Sequence, residues 1–491
     1  MSNNQPGYPA LIIILAVAVL AGLSLLPLHE WTGGVVKEFN LLSDVMHDLS
    51  VEADSTAPDP DEVFEDIDPE LLRAQAEAES GSVKVNPAPA HPSDSTPARH
   101  TAAVTTATSP SLANIIVEND TIVPAPKASR VGDLVVIEDY TAGAMGLANL
   151  RRTIQSGSFA RIALVGDSYI EGDIFAQDLR EKLQSAYGGQ GVGYVNMHSE
   201  FPGFRRSVKQ GGSGWKAFSA MKKCDFNYIG LSEQYFISTP QAVSTYQGTK
   251  AFAQTGAWFT SRFLFVAPKG ATITYRTSGE WISEDVPADA GVQMIKVDGS
   301  TTRFDVKTTS SSLVGLGVWL DGDSGIGVDC MSSRGFSGIT LSKISRPLCY
   351  EMSRCGVDYN LIILEFGINA MSARQRNYSV YSARMVDVIN HVRSCYPRAD
   401  ILLMGIGDRG EKRGSEIHSM STATAMIEAQ REAARKAHCL FWDTREAMGG
   451  VDAVVEWSRG GYINKDYIHL THKGGARLAD LLFNAISHDL K

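Results

Sequence analysis

The chain has 491 residues, more than one ordinary domain of ~100–200 residues needs and enough for several folded units. Hydrophobic residues make up 44% and charged residues 20%, so most of the chain can build a core. A formal net charge of −10 excludes nucleic-acid binding as the default, and six cysteines with no CxxC pair make neither a disulfide scaffold nor a zinc ribbon.

Residues 10–26 read ALIIILAVAVLAGLSLL without a charge. Together with Pro27 and Leu28 they nearly reach the ~20 apolar residues needed to cross a bilayer. The competing reading is a cleaved signal peptide. The leading MSNNQPGYP has no Lys or Arg, and Ala16-Val17-Ala18 lies inside the apolar run. The expectation is therefore an uncleaved anchor over 1–36, touching the membrane through residues 10–28.

Residues 37–130 read as a tether. A short amphipathic stretch around Leu41, Leu42, Val45, Met46 and Leu49 comes first. An acidic run from Glu52 to Glu70 follows, then VNPAPAHPSDSTPARHTAAVTTATSPS, which has no aromatic residue. Such a segment buries too little apolar surface to offset its ordering entropy. About 90 disordered residues span roughly 50 Å on average.

Beyond the tether, strand and helix patterns alternate. Arg161-Ile-Ala-Leu-Val-Gly166 reads as a buried parallel strand. Residues 173–187 place Phe175, Leu179 and Leu183 on one helical face. From about 190 to 326 the pattern changes to short strands such as RFLFVA, ATITYRT and LVGLGVWLDG, which suggests an inserted antiparallel β-sandwich module. Its Trp258, Tyr275, Trp281 and Trp319 serve either as sandwich core or as sugar-stacking faces. Strands then recur at 361–366, 401–406 and 439–442. Helical spacing fills 378–394, 421–437 and 473–489. This predicts a doubly wound parallel α/β sheet in two parts, 131–190 and 327–491, with the module at 191–326 between them. Cys395 and Cys439 flank strands predicted to be adjacent, where an oxidising compartment would allow a disulfide.

The chemistry-bearing residues fall at predicted strand ends. Gly166-Asp167-Ser168 follows the first strand, where nucleophiles of open α/β sheets sit. A lone serine there is more often a plain helix N-cap. Near the last helix, Asp466 precedes His469 by three residues, so it can accept the Nδ1 proton and leave Nε2 facing a serine. Ser333-Arg-Gly-Phe-Ser-Gly338 offers a bare backbone N–H at Gly338. Gly367-Ile368-Asn369 offers a side-chain amide donor. An alternative glycine block is Gly211-Gly-Ser-Gly-Trp215.

In these four blocks the sequence resembles the SGNH (GDSL) hydrolase superfamily, over about 158–175 and 327–490. The resemblance implies a flavodoxin-like sheet of five parallel strands and ester chemistry with no metal and no cofactor. It implies catalytic Ser168, Asp466 and His469, with an oxyanion hole from Ser168, Gly338 and Asn369. A β-module between the first two blocks is similar to bacterial cell-envelope esterases that deacetylate peptidoglycan or other polysaccharides. Two departures stand out: Ala370 follows Asn369 where many relatives carry an acidic residue, and Tyr169 follows the nucleophile. Both are expected to affect substrate fit.

The function implied is a membrane-tethered serine esterase of an acylated cell-envelope polysaccharide, peptidoglycan favoured. Its catalytic domain would lie on the periplasmic or extracellular side of the cytoplasmic membrane. O-acyl transfer to a sugar hydroxyl uses the same residues. A non-catalytic glycan-binding envelope protein is the reading from another class.

Overall fold

The computed structural model describes residues 130–491. The predicted anchor over residues 10–28 and the tether up to residue 129 lie outside the described residues. Among the described residues no helix is long and apolar enough to cross a membrane.

Five parallel strands form the centre: β1 (Ala160–Gly166), β2 (Ile326–Ser332), β3 (Leu361–Glu365), β4 (Asp400–Met404) and β5 (Leu440–Trp442). Their spatial order is β2-β1-β3-β4-β5, the flavodoxin-like order, with Glu138–Asp139 added antiparallel at the β5 edge. β1, β3 and β5 are buried along their whole length, as continuous aliphatic runs in a doubly covered sheet require. Register aligns Gly166 with Ser332 on one side and Glu365 on the other. The chain therefore leaves three neighbouring strands at one level, and the loops after them meet there.

Helices cover the sheet: α1 (Ala176–Tyr187), α2 (Arg346–Arg354), α3 (Ser379–Cys395), α4 (Ala423–Lys436) and α5 (His472–Asp489). α1 packs on α5, and α3 packs on α4. The apolar spacing of α3 acts as expected, burying Tyr381, Met385, Val388, Ile389 and Val392. In α5, Leu478, Leu482 and Ile486 are buried while Leu481 is half-buried. α1 starts later than its spacing suggests. Residues Ser168–Asp173 form a 3-10 turn first, broken at Glu171 and Gly172.

The inserted region is a nine-stranded antiparallel network running from Gly191–Val195 to Val314–Asp321. The first and last of these strands pair with each other, so the module leaves and rejoins the body at one place. The β-sandwich expected here is one continuous sheet folded over on itself, because one strand serves both halves. Gln234–Gly248 pairs with the last module strand at Phe236 and Ile237, and with Arg303–Thr308 from Ala242 onward. Between them Gln241 has a positive φ of 70°, and the strand turns from one partner to the next. The adjacent strand Val208–Ser219 carries a bulge at the same level, between Ser213 and Trp215. Gly214 there has φ +77°, and a Cβ on it would lie 2.7 Å from the Cα of Ala242. The GGSGW block therefore makes a sheet corner and carries no oxyanion donor. The bent sheet wraps a core of its own that includes Trp215, Phe236, Trp258, Phe263 and Phe304.

Module and body are joined by buried charge. Arg161 of β1 pairs with Asp329 of β2 at 3.0 Å and with Asp321 of the last module strand at 2.6 Å. Arg262 of the module reaches the same Asp321 at 3.0 Å. Trp319 Nε1 and the Tyr359 hydroxyl donate to Asp329 at 2.8 and 2.9 Å. Burying such groups is tolerable only because each carboxylate is this fully paired. Trp319 is thus core, as is Trp258, whose Nε1 donates to Ser261. Trp281 is flanked by Arg276 and Lys307, 4.4 and 4.1 Å from its ring centre.

All six cysteines are free. The disulfide considered for Cys395 and Cys439 is absent because Cys395 ends α3, where it faces Cys349 of α2 and His391. Cys439 instead lies buried against Leu440.

Candidate active site

The nucleophile turn is built by crowding at the end of β1. A Cβ on Gly166 would lie 2.6 Å from the carbonyl oxygen of Glu365, so the strand pair closes only on glycine. Asp167 follows, and its carboxylate accepts from the backbone N–H of Tyr169 at 2.9 Å, which starts the 3-10 turn. Ser168 is the first residue of that turn, so its N–H has no acceptor within the turn.

Ser168 Oγ lies 3.0 Å from His469 Nε2, and His469 Nδ1 lies 2.8 Å from Asp466 Oδ2. The other Asp466 oxygen accepts the backbone N–H groups of Ile468 and His469 at 2.9 and 3.0 Å. Burial opposes the Asp466 charge, yet His469 and these donors hold the carboxyl below the usual carboxylate range. A carboxylate only accepts, so Nδ1 carries the imidazole proton and Nε2 is free to take one from Ser168. The loop is shaped for this. Ile463 and Leu470 bridge its two sides, Asn464 N–H donates to the His469 carbonyl at 2.8 Å, and Tyr467 turns the chain with φ 58°. Thr471 then caps α5 through Gly474 N–H.

The glycine loop is tied to the same level. Ser333 N–H donates to the Gly166 carbonyl at 2.8 Å. Gly338 has φ +87°, and a Cβ on it would meet the Phe366 ring at 2.7 Å, so both backbone and packing demand glycine. Asn369 connects the pieces: its amide nitrogen donates to Asp167 Oδ2 and to the Phe336 carbonyl, each at 2.9 Å. Both amide hydrogens are thus engaged. Donation to an oxyanion requires that one of these bonds be shared or exchanged when substrate enters.

Ser168, His469 and Asp466 are brought together as one relay, with Asn369 and the Gly338 loop on its Asp167 side. Tyr169 and Ala370 are a correction to the expectation of substrate fit. Tyr169 is only 2% exposed, its hydroxyl packs against Gly407 and Met448, and Ala370 is fully buried. Neither side chain reaches a substrate.

Three features escaped the sequence reading. Beneath the turn, Asp167 and Glu365 are both buried. Burial pushes Asp167 up to about 7 against the pull of the Tyr169 N–H, His469 and Asn369, while burial and the neighbouring Asp167 push Glu365 well above its ordinary value. A glutamate inside the run LIILEF was the available signal. Second, Asp173 ends the turn with φ 68° and holds Arg180 at 2.7 Å, Arg205 of the module at 3.3 Å and Ser207 at 2.6 Å. Burial opposes its charge, but the two arginines hold it at about 2. Third, Arg334 of the glycine loop pairs with Glu171 of the nucleophile turn at 2.9 Å. Among the described residues no group of three or more His, Cys, Asp or Glu side chains is placed to hold a metal ion.

No family model matches the chain, and no curated protein matches it. Among solved structures, a peptidoglycan O-acetylesterase aligns with 72% of this chain and 99% of its own, at 22% identity and a TM-score of 0.60. A family two carbohydrate esterase from Cellvibrio japonicus aligns over 58% of this chain and 98% of its own, at 10% identity and a TM-score of 0.26. A putative GDSL-like lipase from Parabacteroides merdae covers 34% of this chain and 74% of its own, at 12% identity and a TM-score of 0.27. The first of these shows the fold: this chain shares the fold of that esterase, with a β-module between the first and second strands of its parallel sheet.

Proposed function

We propose that the protein is a serine esterase that removes O-acyl groups, O-acetyl in the first place, from a glycan, and that peptidoglycan is the favoured polymer. The observation that carries the reading is the Ser168–His469–Asp466 relay at the carboxyl end of β1. The likeness to a peptidoglycan O-acetylesterase supports the choice of polymer.

In this reaction Ser168 Oγ attacks the ester carbonyl carbon while His469 Nε2 takes its proton. Asp466 stabilises the imidazolium and fixes its orientation. Negative charge develops on the carbonyl oxygen, toward the N–H groups of Ser168 and Gly338 and the Asn369 amide. The C–O bond to the sugar breaks, and His469 returns the proton to the departing sugar oxygen. Water, deprotonated by the same nitrogen, then releases acetate and restores Ser168.

The test is release of acetate from purified O-acetylated peptidoglycan. The wild type should release it. Ser168→Ala should lose about 10⁴-fold or more in kcat with an unchanged circular-dichroism spectrum, because the side chain sits at a strand end and outside the core. Turnover near wild type in that variant sinks the reading.

Tethering belongs to the same proposal. The apolar run at residues 10–28 would hold the enzyme at the outer side of the cytoplasmic membrane, with residues 37–130 as the leash. Sequencing the N-terminus of the native protein decides it: a start near residue 22 refutes the anchor.

A further inference from the structure

The module sends one loop back onto the nucleophile turn. Phe201 and Phe204 stand on it, 57% and 53% exposed, among the most exposed large apolar residues of the described chain. Their rings lie 5.7 Å apart and 22° from parallel, stacked with an offset, so together they form one continuous exposed apolar surface. Pro202 opens the short turn between them, and Phe204 N–H donates to the Phe201 carbonyl at 3.2 Å.

This face is held in place. Arg205, the next residue, donates to the carbonyls of Tyr194 and Val192 at 2.7 and 2.8 Å and pairs with Asp173. Phe204 also packs on Gly172, where a Cβ would lie 2.9 Å from its own Cβ. Gly172 is four residues past Ser168. An exposed apolar pair clamped this firmly beside a nucleophile has no core to serve and is costly to leave in water.

Beside the pair is a cleft of about 340 Å³, walled by Glu171, Asn196, His198 and Arg334 as well as Phe201 and Phe204. Ser168 does not line it; the turn just after Ser168 does. Small-ligand clefts run from ~300 to 1,000 Å³, so this one exceeds what an acetyl group needs. Its lining mixes apolar surface from the two phenylalanines, Val195, Ala217 and Phe236 with these polar groups and Gln210, which suits a ring with a C–H face and a belt of hydroxyl or amide groups.

We infer that the Phe201–Phe204 face is a subsite for a sugar ring of the polymer that carries the ester. The ring stacks on the two phenyl groups while its polar substituents meet Asn196, His198 and the Arg334–Glu171 pair. The inference rests on the esterase reading for the identity of the polymer, and it makes the module the part of the enzyme that distinguishes a glycan strand from a small ester.

The test uses the full chain and two kinds of substrate. One is p-nitrophenyl acetate. The other is whichever of O-acetylated peptidoglycan and acetylated xylan the wild type deacetylates. The double variant Phe201→Ala, Phe204→Ala should lose about tenfold or more in kcat/KM on the polymer, mainly through KM, since two aromatic contacts are each worth on the order of 1 kcal/mol. It should keep wild-type rates on p-nitrophenyl acetate. Phe201→Trp, which preserves a flat ring, should restore most of the polymer activity when combined with native Phe204. Equal loss on both substrates means the loop only braces the nucleophile turn, and no loss on either means that no ring stacks there; each overturns the inference. So does a wild type active on p-nitrophenyl acetate and on neither polymer. A wild type that hydrolyses no ester sinks the proposed function instead. The subsite is then decided by co-sedimentation of the Ser168→Ala protein with insoluble peptidoglycan, where the two Phe→Ala changes must lower the bound fraction.

Discussion

The body and the module order their side chains in opposite ways. In the parallel sheet, β1 is buried at every residue, and register alone brings Gly166, Ser332 and Glu365 to one level. In the module, the strand Gln234–Gly248 mixes buried with exposed residues and changes partners at Gln241. The body therefore has fixed strand ends on which to mount a reaction. The module has loops and edges that are free to vary. The Ser168–His469–Asp466 relay accordingly sits on the first, and the Phe201–Phe204 pair on the second. The two regions are joined by the buried cluster of Arg161, Asp321, Asp329 and Arg262, and by apolar packing in which Leu264, Val266, Leu316 and Trp319 of the module share the body's core.

The sharpest way to break this arrangement is at that joint. Arg161→Met leaves Asp321 and Asp329 buried without their main partner and should cost about 3–5 kcal/mol in a denaturant titration. A loss below ~1 kcal/mol would mean that apolar packing, and not the charge cluster, joins the two regions. A smaller effect, confined to the body, is expected from Asn369→Ala. It removes the bridge between Asp167 and the glycine loop and should lower kcat by ~10²–10³ with little change in KM. An effect on KM alone would assign Asn369 to ground-state binding.

The smallest effect concerns the carboxyl pair under the nucleophile. Burial raises Asp167 from its ordinary 3.8 to about 7 and raises its neighbour Glu365 as well. The folded state therefore holds protons that the unfolded chain has already released. The resulting stability is complete below about pH 4, falls as pH rises to about 7, and is flat above that as far as Asp167 is concerned. Glu365→Gln removes one ionisable partner, so the drop in melting temperature between pH 5 and pH 8 should shrink. A pH profile identical to that of the wild type would place the loss elsewhere.

Much of the body was legible because its signals are local. The run of β1 and the 3.6-residue spacing of α3 each follow from burial on a known face. The Ser168, Asp466 and His469 relay was legible because each residue lies in a short motif at a strand or helix end. The module was legible only as β-structure. Its corner depends on Gly214 meeting Ala242, a contact that no local pattern contains. Phe201 and Phe204 look like ordinary core residues in a string of letters, and only folding shows them exposed. The reverse holds for Tyr169, which sits beside the nucleophile in sequence yet points into the core.

The relay has a consequence for synthesis. Ser168 and His469 are 301 positions apart, and the whole module lies between them. A chain emerging from the ribosome at ~5–20 residues per second carries its nucleophile long before it carries a base. Closing a contact of such long range also places the protein among slow folders. Under the proposed esterase mechanism the growing chain lacks its base until residue 469 has been made and docked, and a fragment ending before that point should keep only residual activity.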